Sequence, residues 1–204
     1  MEALFHLRDF GYEQLTELTL DGLLIRLTES TWVRKGAILS PAERMAALHS
    51  LIPPGLALSH DTAWWVHRGL GRAPAPLNFI TLPRRRWIAD DGFDVHETTL
   101  ADDEWCLIDA LPITTEERTF YDLLYPHFRS RTAESAKALR GIIAEIPTGL
   151  RHRLRDYLTE VARRPFVAQM RAALDSAALD SAALDSRALG GIGSDREDQP
   201  PEMR

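Results

Sequence analysis

The sequence predicts an α+β protein: a reduced winged-helix-like segment, then a mixed β-sheet domain flanked by helices. Three observations predict it. A helix-spaced stretch at 12–20 is followed by two short β-type runs before residue 34. Branched and aromatic runs at 77–82, 93–98 and 105–108 alternate with helix-start signals. Beyond residue 133 apolar residues recur every three or four positions, the period of a helix face. These place segments at 1–38 (winged-helix-like, truncated), 39–168 (α/β) and 169–204 (repeat and disordered tail).

Leu15 and Leu18 share one face of the first helix, Tyr12 to Leu20, and Asp21-Gly22 stops it, because glycine tolerates the positive φ of a helix end. Leu23–Leu27 and Thr31–Val33 read as strands around a Glu29-Ser30 turn. A helix and a hairpin make the second half of a winged helix-turn-helix. About ten residues precede them, fewer than one ordinary helix needs, so the motif reads as truncated. Ser40-Pro41-Ala42-Glu43 is a capping box with proline at the first helical position, opening a helix to about Leu51 before Pro53-Pro54. Ser59 is placed to cap the next helix, ending near Gly69 or Gly71.

The β runs 77–82 and 93–98 are expected to form a hairpin, joined by a long loop holding Arg84-Arg85-Arg86-Trp87 and Asp90-Asp91-Gly92. Trp105–Ile108 is a third strand, with Cys106 expected as a small buried hydrophobe. Thr114-Thr115-Glu116-Glu117 reads as a second capping box, opening a helix to about Tyr125 in which Arg118 and Asp122 pair at four-residue spacing. Ala133 to Ile146 and Leu150 to Val161 give two more helices, stopped by Pro147 and near Pro165. The pentapeptide Ala-Ala-Leu-Asp-Ser then occurs three times between Ala172 and Ser186. A five-residue period advances about 140° beyond a full turn, so its leucines spiral around a helix and make no stripe.

Composition narrows the function classes. The chain has 204 residues, 45% hydrophobic, with a formal charge of −6. Any nucleic-acid contact must therefore come from a local patch. One cysteine excludes a disulfide scaffold and a cysteine-rich metal site. The N-terminus lacks the charge and apolar pattern of a signal peptide, and no run of 18 apolar residues occurs, so the expected compartment is the cytoplasm, away from the membrane.

No catalytic signature stands out. Ser59, His60 and Asp61 are neighbours on a helix, about 100° apart around its axis, and cannot relay a proton. His60 and His67 are seven apart, whereas ligand pairs on a helix favour three or four. Asp90, Asp91, Asp94, Asp102, Asp103 and Glu104 read as turn and loop acidity, because the only lysines, Lys35 and Lys137, do not accompany them as a metal nuclease needs. His96 is expected to pack in the core or across strands. The strongest binding candidate is Arg84, Arg85, Arg86 and Trp87, three guanidiniums beside an indole that suit phosphates or an aromatic partner. The wing adds Arg26, Arg34 and Lys35 as backbone contacts to DNA. The helix before it carries Glu13 and Glu17 and no basic residue.

From Tyr12 to Leu124 the chain resembles the AbiEi-type antitoxins of type IV toxin–antitoxin systems. The resemblance rests on Ser59-His60 with Ala63, on Pro83–Arg86 followed by Val95-His96, and on Leu111-Pro112-Ile113-Thr114 with Arg118-Thr119 and Asp122. It implies a winged helix that binds its own operator DNA, an antitoxin domain, and a nucleotidyltransferase-like toxin as functional partner without a stable complex. It implies no cofactor, no metal and no enzymatic activity, and it assigns no residue roles within the antitoxin domain. Two alternatives stay open: a nuclease-related protein with a cryptic metal site, and a decayed remnant of a two-domain endonuclease-type protein.

Overall fold

The computed structural model describes residues 4–88, 92–130 and 132–177. The chain divides into two compact units, with the boundary after Pro126. The first is α+β, with a three-stranded and a five-stranded sheet flanked by helices; the second is helical.

In the first unit, β1 (Leu4–His6), α1 (Tyr12–Leu20), β2 (Leu24–Arg26) and β3 (Thr31–Arg34) follow one another. The sheet order is β1-β3-β2 and both pairings are antiparallel. The expected helix and hairpin are both present, and β1 is a strand the sequence reading did not anticipate. Leu15 of α1 packs with Leu24 and Trp32 as a small core of its own. The other face of the hairpin is shared: Leu27, Val33 and Leu39 are buried in the same cluster as Met45, Leu48, Leu58 and Phe79. Residues before 38 therefore have no separate main core.

Helix α2 (Pro41–Leu48) carries the anticipated capping box. Glu43 N–H donates to Ser40 Oγ at 3.3 Å, and the Ser40 N–H donates to Glu43 Oε2 at 2.7 Å. A 3-10 turn continues it from His49 to Leu51. β4 (Leu56–Leu58), α3 (His60–Arg68), β5 (Leu77–Thr81), β6 (Phe93–His96), β7 (Trp105–Ile108) and β8 (Leu111–Thr114) follow, and α4 (Glu116–Ser130) starts in this unit and runs past its boundary at Pro126. The sheet order is β6-β5-β4-β8-β7.

One expectation is overturned. β5 and β6 are parallel, with Leu77 opposite Phe93 and Ile80 opposite His96. The connection from Thr81 to Phe93 is therefore a crossover and not a hairpin loop, since parallel neighbours need a link of about a dozen residues. Inner strand β8 contains Pro112, which has no N–H to give, and it meets β4 at one register pair, Leu58 opposite Ile113.

Arg44 joins α2 to α3. Its buried guanidinium donates to the carbonyls of Val66 at 2.8 Å, His67 at 3.0 Å and Leu39 at 2.6 Å. Two of these are orphan carbonyls at the end of α3, which helix geometry leaves unpaired. Gly69 lets the chain leave that helix against Trp65, where an added Cβ would lie 2.5 Å from the Trp65 Cα.

In the second unit, α5 (Ala133–Ala144) is capped by Thr132, whose hydroxyl accepts from Ser135 N–H at 3.1 Å. α6 (Thr148–Glu160) buries Leu150, Leu154 and Leu158 at four-residue spacing, one face of a helix. Residues 167–177 are also helical, and Met170 and Leu174 are fully buried, so the start of the first pentapeptide copy is packed. The leucines of the other two copies, Leu179 and Leu184, and Leu189 after them lie outside the described residues. Among those described, no helix is long and apolar enough to cross a membrane.

The Gly69 contact makes a test. Gly69→Ala is expected to destabilise the protein by about 1–3 kcal/mol, the usual cost of overpacking. A urea midpoint unchanged from the parent would refute the close packing.

Candidate functional site

The richest chemistry sits around Arg118, in the first turn of α4. Its Nε donates to both carboxylate oxygens of Asp122, at 3.0 and 2.9 Å, and its Nη1 donates to Glu104 Oε2 at 2.9 Å. All three side chains are at most 7% exposed. Nη1 also reaches the Thr99 carbonyl at 3.4 Å. The i,i+4 pair was legible in the sequence. Glu104 was not: it is buried here and is not loop acidity. Its carboxylate accepts from the Ala101 N–H at 3.0 Å, which folds the turn before β7 onto the arginine.

The helix start differs from the box read at 114–117. Thr115 accepts from the Arg118 N–H at 3.3 Å, which makes Thr115 the cap and Arg118 the third helical residue. Thr114 points inward instead, and its hydroxyl lies 2.7 Å from that of Thr119. The backbone carbonyl of Thr114 accepts from His67 Nε2 at 2.8 Å.

Beside this cluster lies a pair of histidines. The rings of His60 and His96 stack with centroids 3.9 Å apart. Ser59 occupies the cap position of α3 without capping it; its buried hydroxyl lies 3.0 Å from His60 Nδ1. His60 holds φ at +48°, a conformation costly for a residue with a Cβ. On the outer side, His96 Nε2 is 3.7 Å from Asp94 Oδ2, and the Asn78 amide donates to the same oxygen at 3.4 Å. The sequence reading treated His60 and His96 separately, and only the fold brings them together.

Burial sets the protonation here. The His60 pKa is pulled down to about 3, mainly by burial, with help from the charges of His96 and Arg118. Burial also lowers His67, against the opposing pull of the Thr114 carbonyl. Burial raises the Asp122 carboxyl; Arg118 pulls it back and Glu104 adds to the rise, as expected when two carboxylates share one cation. Among the described residues no three His, Cys, Asp or Glu side chains are grouped to hold a metal. Cys106 is exposed on β7, contrary to the expected buried hydrophobe, because β7 is a sheet edge.

The basic loop is built differently. Arg84 Nε donates to the Glu97 carbonyl at 3.1 Å, and Arg85 Nη2 donates to the Pro54 carbonyl at 3.1 Å. The Arg85 guanidinium lies over the Trp87 ring, 5.4 Å from its centroid. The Trp87 N–H donates to Glu97 Oε1 at 2.8 Å, and its side chain packs on the main core. Arg84, Arg85 and Arg86 are all exposed. Asp90 and Asp91 lie outside the described residues. In the wing, Arg26 is engaged: it binds Glu29 Oε2 at 2.7 Å and lies over Trp32, 5.1 Å from the ring centroid. Arg34 and Lys35 are exposed beyond it.

No protein-family model matches the chain, and no curated protein matches it.

Two measurements test this site. Arg118→Met strands two buried carboxylates and is expected to cost about 3–5 kcal/mol in denaturant unfolding. Adding Glu104→Gln and Asp122→Asn is expected to recover much of that loss. The second concerns pH. Unfolded His60 takes up a proton below about 6.5, whereas the folded residue resists until about 3. Stability from this group is full above 6.5 and falls as pH drops between those values, by at most about 1.4 kcal/mol per pH unit. The raised Asp122 acts in the opposite sense, so the readout is a difference. His60→Asn, which tolerates the positive φ, is expected to flatten the urea-midpoint profile between pH 7 and 5 relative to the parent.

Proposed function

We propose that this chain is a non-catalytic antitoxin of the type IV class, acting through the surface that carries Arg84, Arg85, Arg86 and Trp87. The observation that carries this reading is how that loop is held. Glu97 receives Arg84 on its carbonyl and the Trp87 N–H on its carboxylate, while Pro54 receives Arg85. Arg84 and Arg85 are thus tethered at the surface with exposed Arg86 beside them, and Trp87 anchors the loop on the core, which lowers the ordering cost of binding. The Arg118 cluster supports the same reading. Its carboxylates are committed to a buried guanidinium, an arrangement that holds structure together.

The functional partner is a nucleotidyltransferase-like toxin. Operator DNA is a second partner, met by Arg34 and Lys35 as phosphate contacts. Arg26 belongs to the hairpin through Glu29 and Trp32 and contributes less than the sequence alone suggests.

Loss of the gene beside an intact toxin gene is expected to harm growth, and its return to rescue it. The Arg84→Ala/Arg85→Ala/Arg86→Ala variant is expected to keep its fold by circular dichroism and lose rescue. Undiminished rescue by that variant would overturn the assignment of the surface. Metal-dependent cleavage of plasmid DNA by the parent, lost in Asp94→Ala, would overturn the non-catalytic reading itself.

A further inference from the structure

A second feature lies on the three-stranded sheet, away from the arginine loop. A pocket of about 410 Å³ opens where four segments converge: the end of β1, the turn between β2 and β3, the 3-10 turn after α2, and the turn between β7 and β8. Its volume is in the range of small-molecule sites. His6, Arg8, Ser30, His49, Ser50 and Asp109 supply its polar lining. From this convergence we propose that the pocket binds a small phosphorylated ligand bearing a hydroxyl or amino group, of the nucleotide or sugar-phosphate class.

The lining divides by chemistry. Two imidazoles, one guanidinium and two serine hydroxyls are donors suited to phosphoryl oxygens. His6 is oriented by a contact of 3.4 Å between its Nδ1 and the Thr31 hydroxyl, which leaves Nε2 without a partner among the described residues. Among the described residues Arg8 is tied only to the adjacent, exposed Asp9, at 3.6 Å. The one carboxylate, Asp109, sits on a tight turn in which both central residues have positive φ, +50° at Asp109 and +60° at Ala110. Positive φ at both positions is the ordinary geometry of a two-residue hairpin turn, and aspartate is among the residues that accept it. An acceptor beside a donor cluster fits a ligand with a phosphate at one end and a hydroxyl or amine at the other.

One feature opposes this. Helix α2 ends at the pocket, and its carbonyl end weakens a bound anion by about a few-fold. A charge-assisted hydrogen bond gains about ten-fold or more, and the pocket offers several such donors. The donors prevail.

The test uses the full chain, labelled with ¹⁵N and titrated by NMR with inorganic phosphate, adenosine monophosphate, glucose 6-phosphate and adenosine. The expected result is saturable shifts at His6, Ser30, His49, Ser50 and Asp109 with both phosphate esters, weaker binding of phosphate, and none of adenosine. The tighter of the two esters identifies the source. His49→Ala is expected to weaken ester binding about ten-fold. Asp109→Gly, which keeps the positive φ, is expected to weaken ester binding and leave phosphate binding unchanged. Shifts that map elsewhere, or no saturation by either ester at millimolar concentration, would overturn the proposal. Because the titration of the parent protein reads the pocket directly, a variant that fails to fold does not decide it.

Discussion

A single buried guanidinium organises the centre of the first unit. Arg118 takes charge from Asp122 on its own helix, from Glu104 in the turn before β7, and a carbonyl from Thr99 in the segment after β6. One side chain thus holds together the segment after β6, the turn before β7 and the start of α4. A buried ion pair is seldom a net stabiliser against apolar packing, because desolvation offsets most of the attraction. Its value here is directional. An apolar side chain would tolerate many arrangements of these segments, whereas a fork of N–H groups accepts few. Burial and, to a lesser degree, the charges of His96 and Arg118 favour the neutral form of His60 in the stacked pair.

The arginine loop inherits that order. Glu97 lies between His96, the last residue of β6, and Thr99, which Arg118 holds. Glu97 in turn receives Arg84 and Trp87. The exposed basic surface is thereby connected to the buried charge cluster through three residues of chain. Support on one side and exposure on the other is what a binding loop on a rigid sheet requires.

Local signals in the sequence were readable where they were complete in themselves. The box at Ser40 and Glu43, the helix from Tyr12 to Leu20, the hairpin after it and the Arg118–Asp122 pair all depend on neighbours within four residues or a short turn. Partners far apart in the chain escaped. Nothing local marks Glu104 as buried, or His60 and His96 as stacked. The crossover was misread for a related reason: Asp90-Asp91-Gly92 is a turn signal, and a turn between two β runs is ordinarily a hairpin. Direction is set by which strand edge is free, a property of the assembled sheet. Likewise β8 escaped notice because Pro112 argues against an inner strand, and its single register pair with β4 shows how little pairing it needs there.

The parallel pairing of β5 and β6 has one more consequence. It leaves β6 at the rim of the five-stranded sheet, with β7 at the opposite rim. Open rims invite templated growth by other chains unless charge or bulk discourages it. Arg84 donates to the Glu97 carbonyl, next to the end of the β6 rim, where like charges on two molecules would repel. The other rim shows Leu107 and a free thiol to solvent, with the Glu117 carboxylate near enough to act on that thiol. A strand added to this sheet would dock on one of these two rims, each with charge beside it.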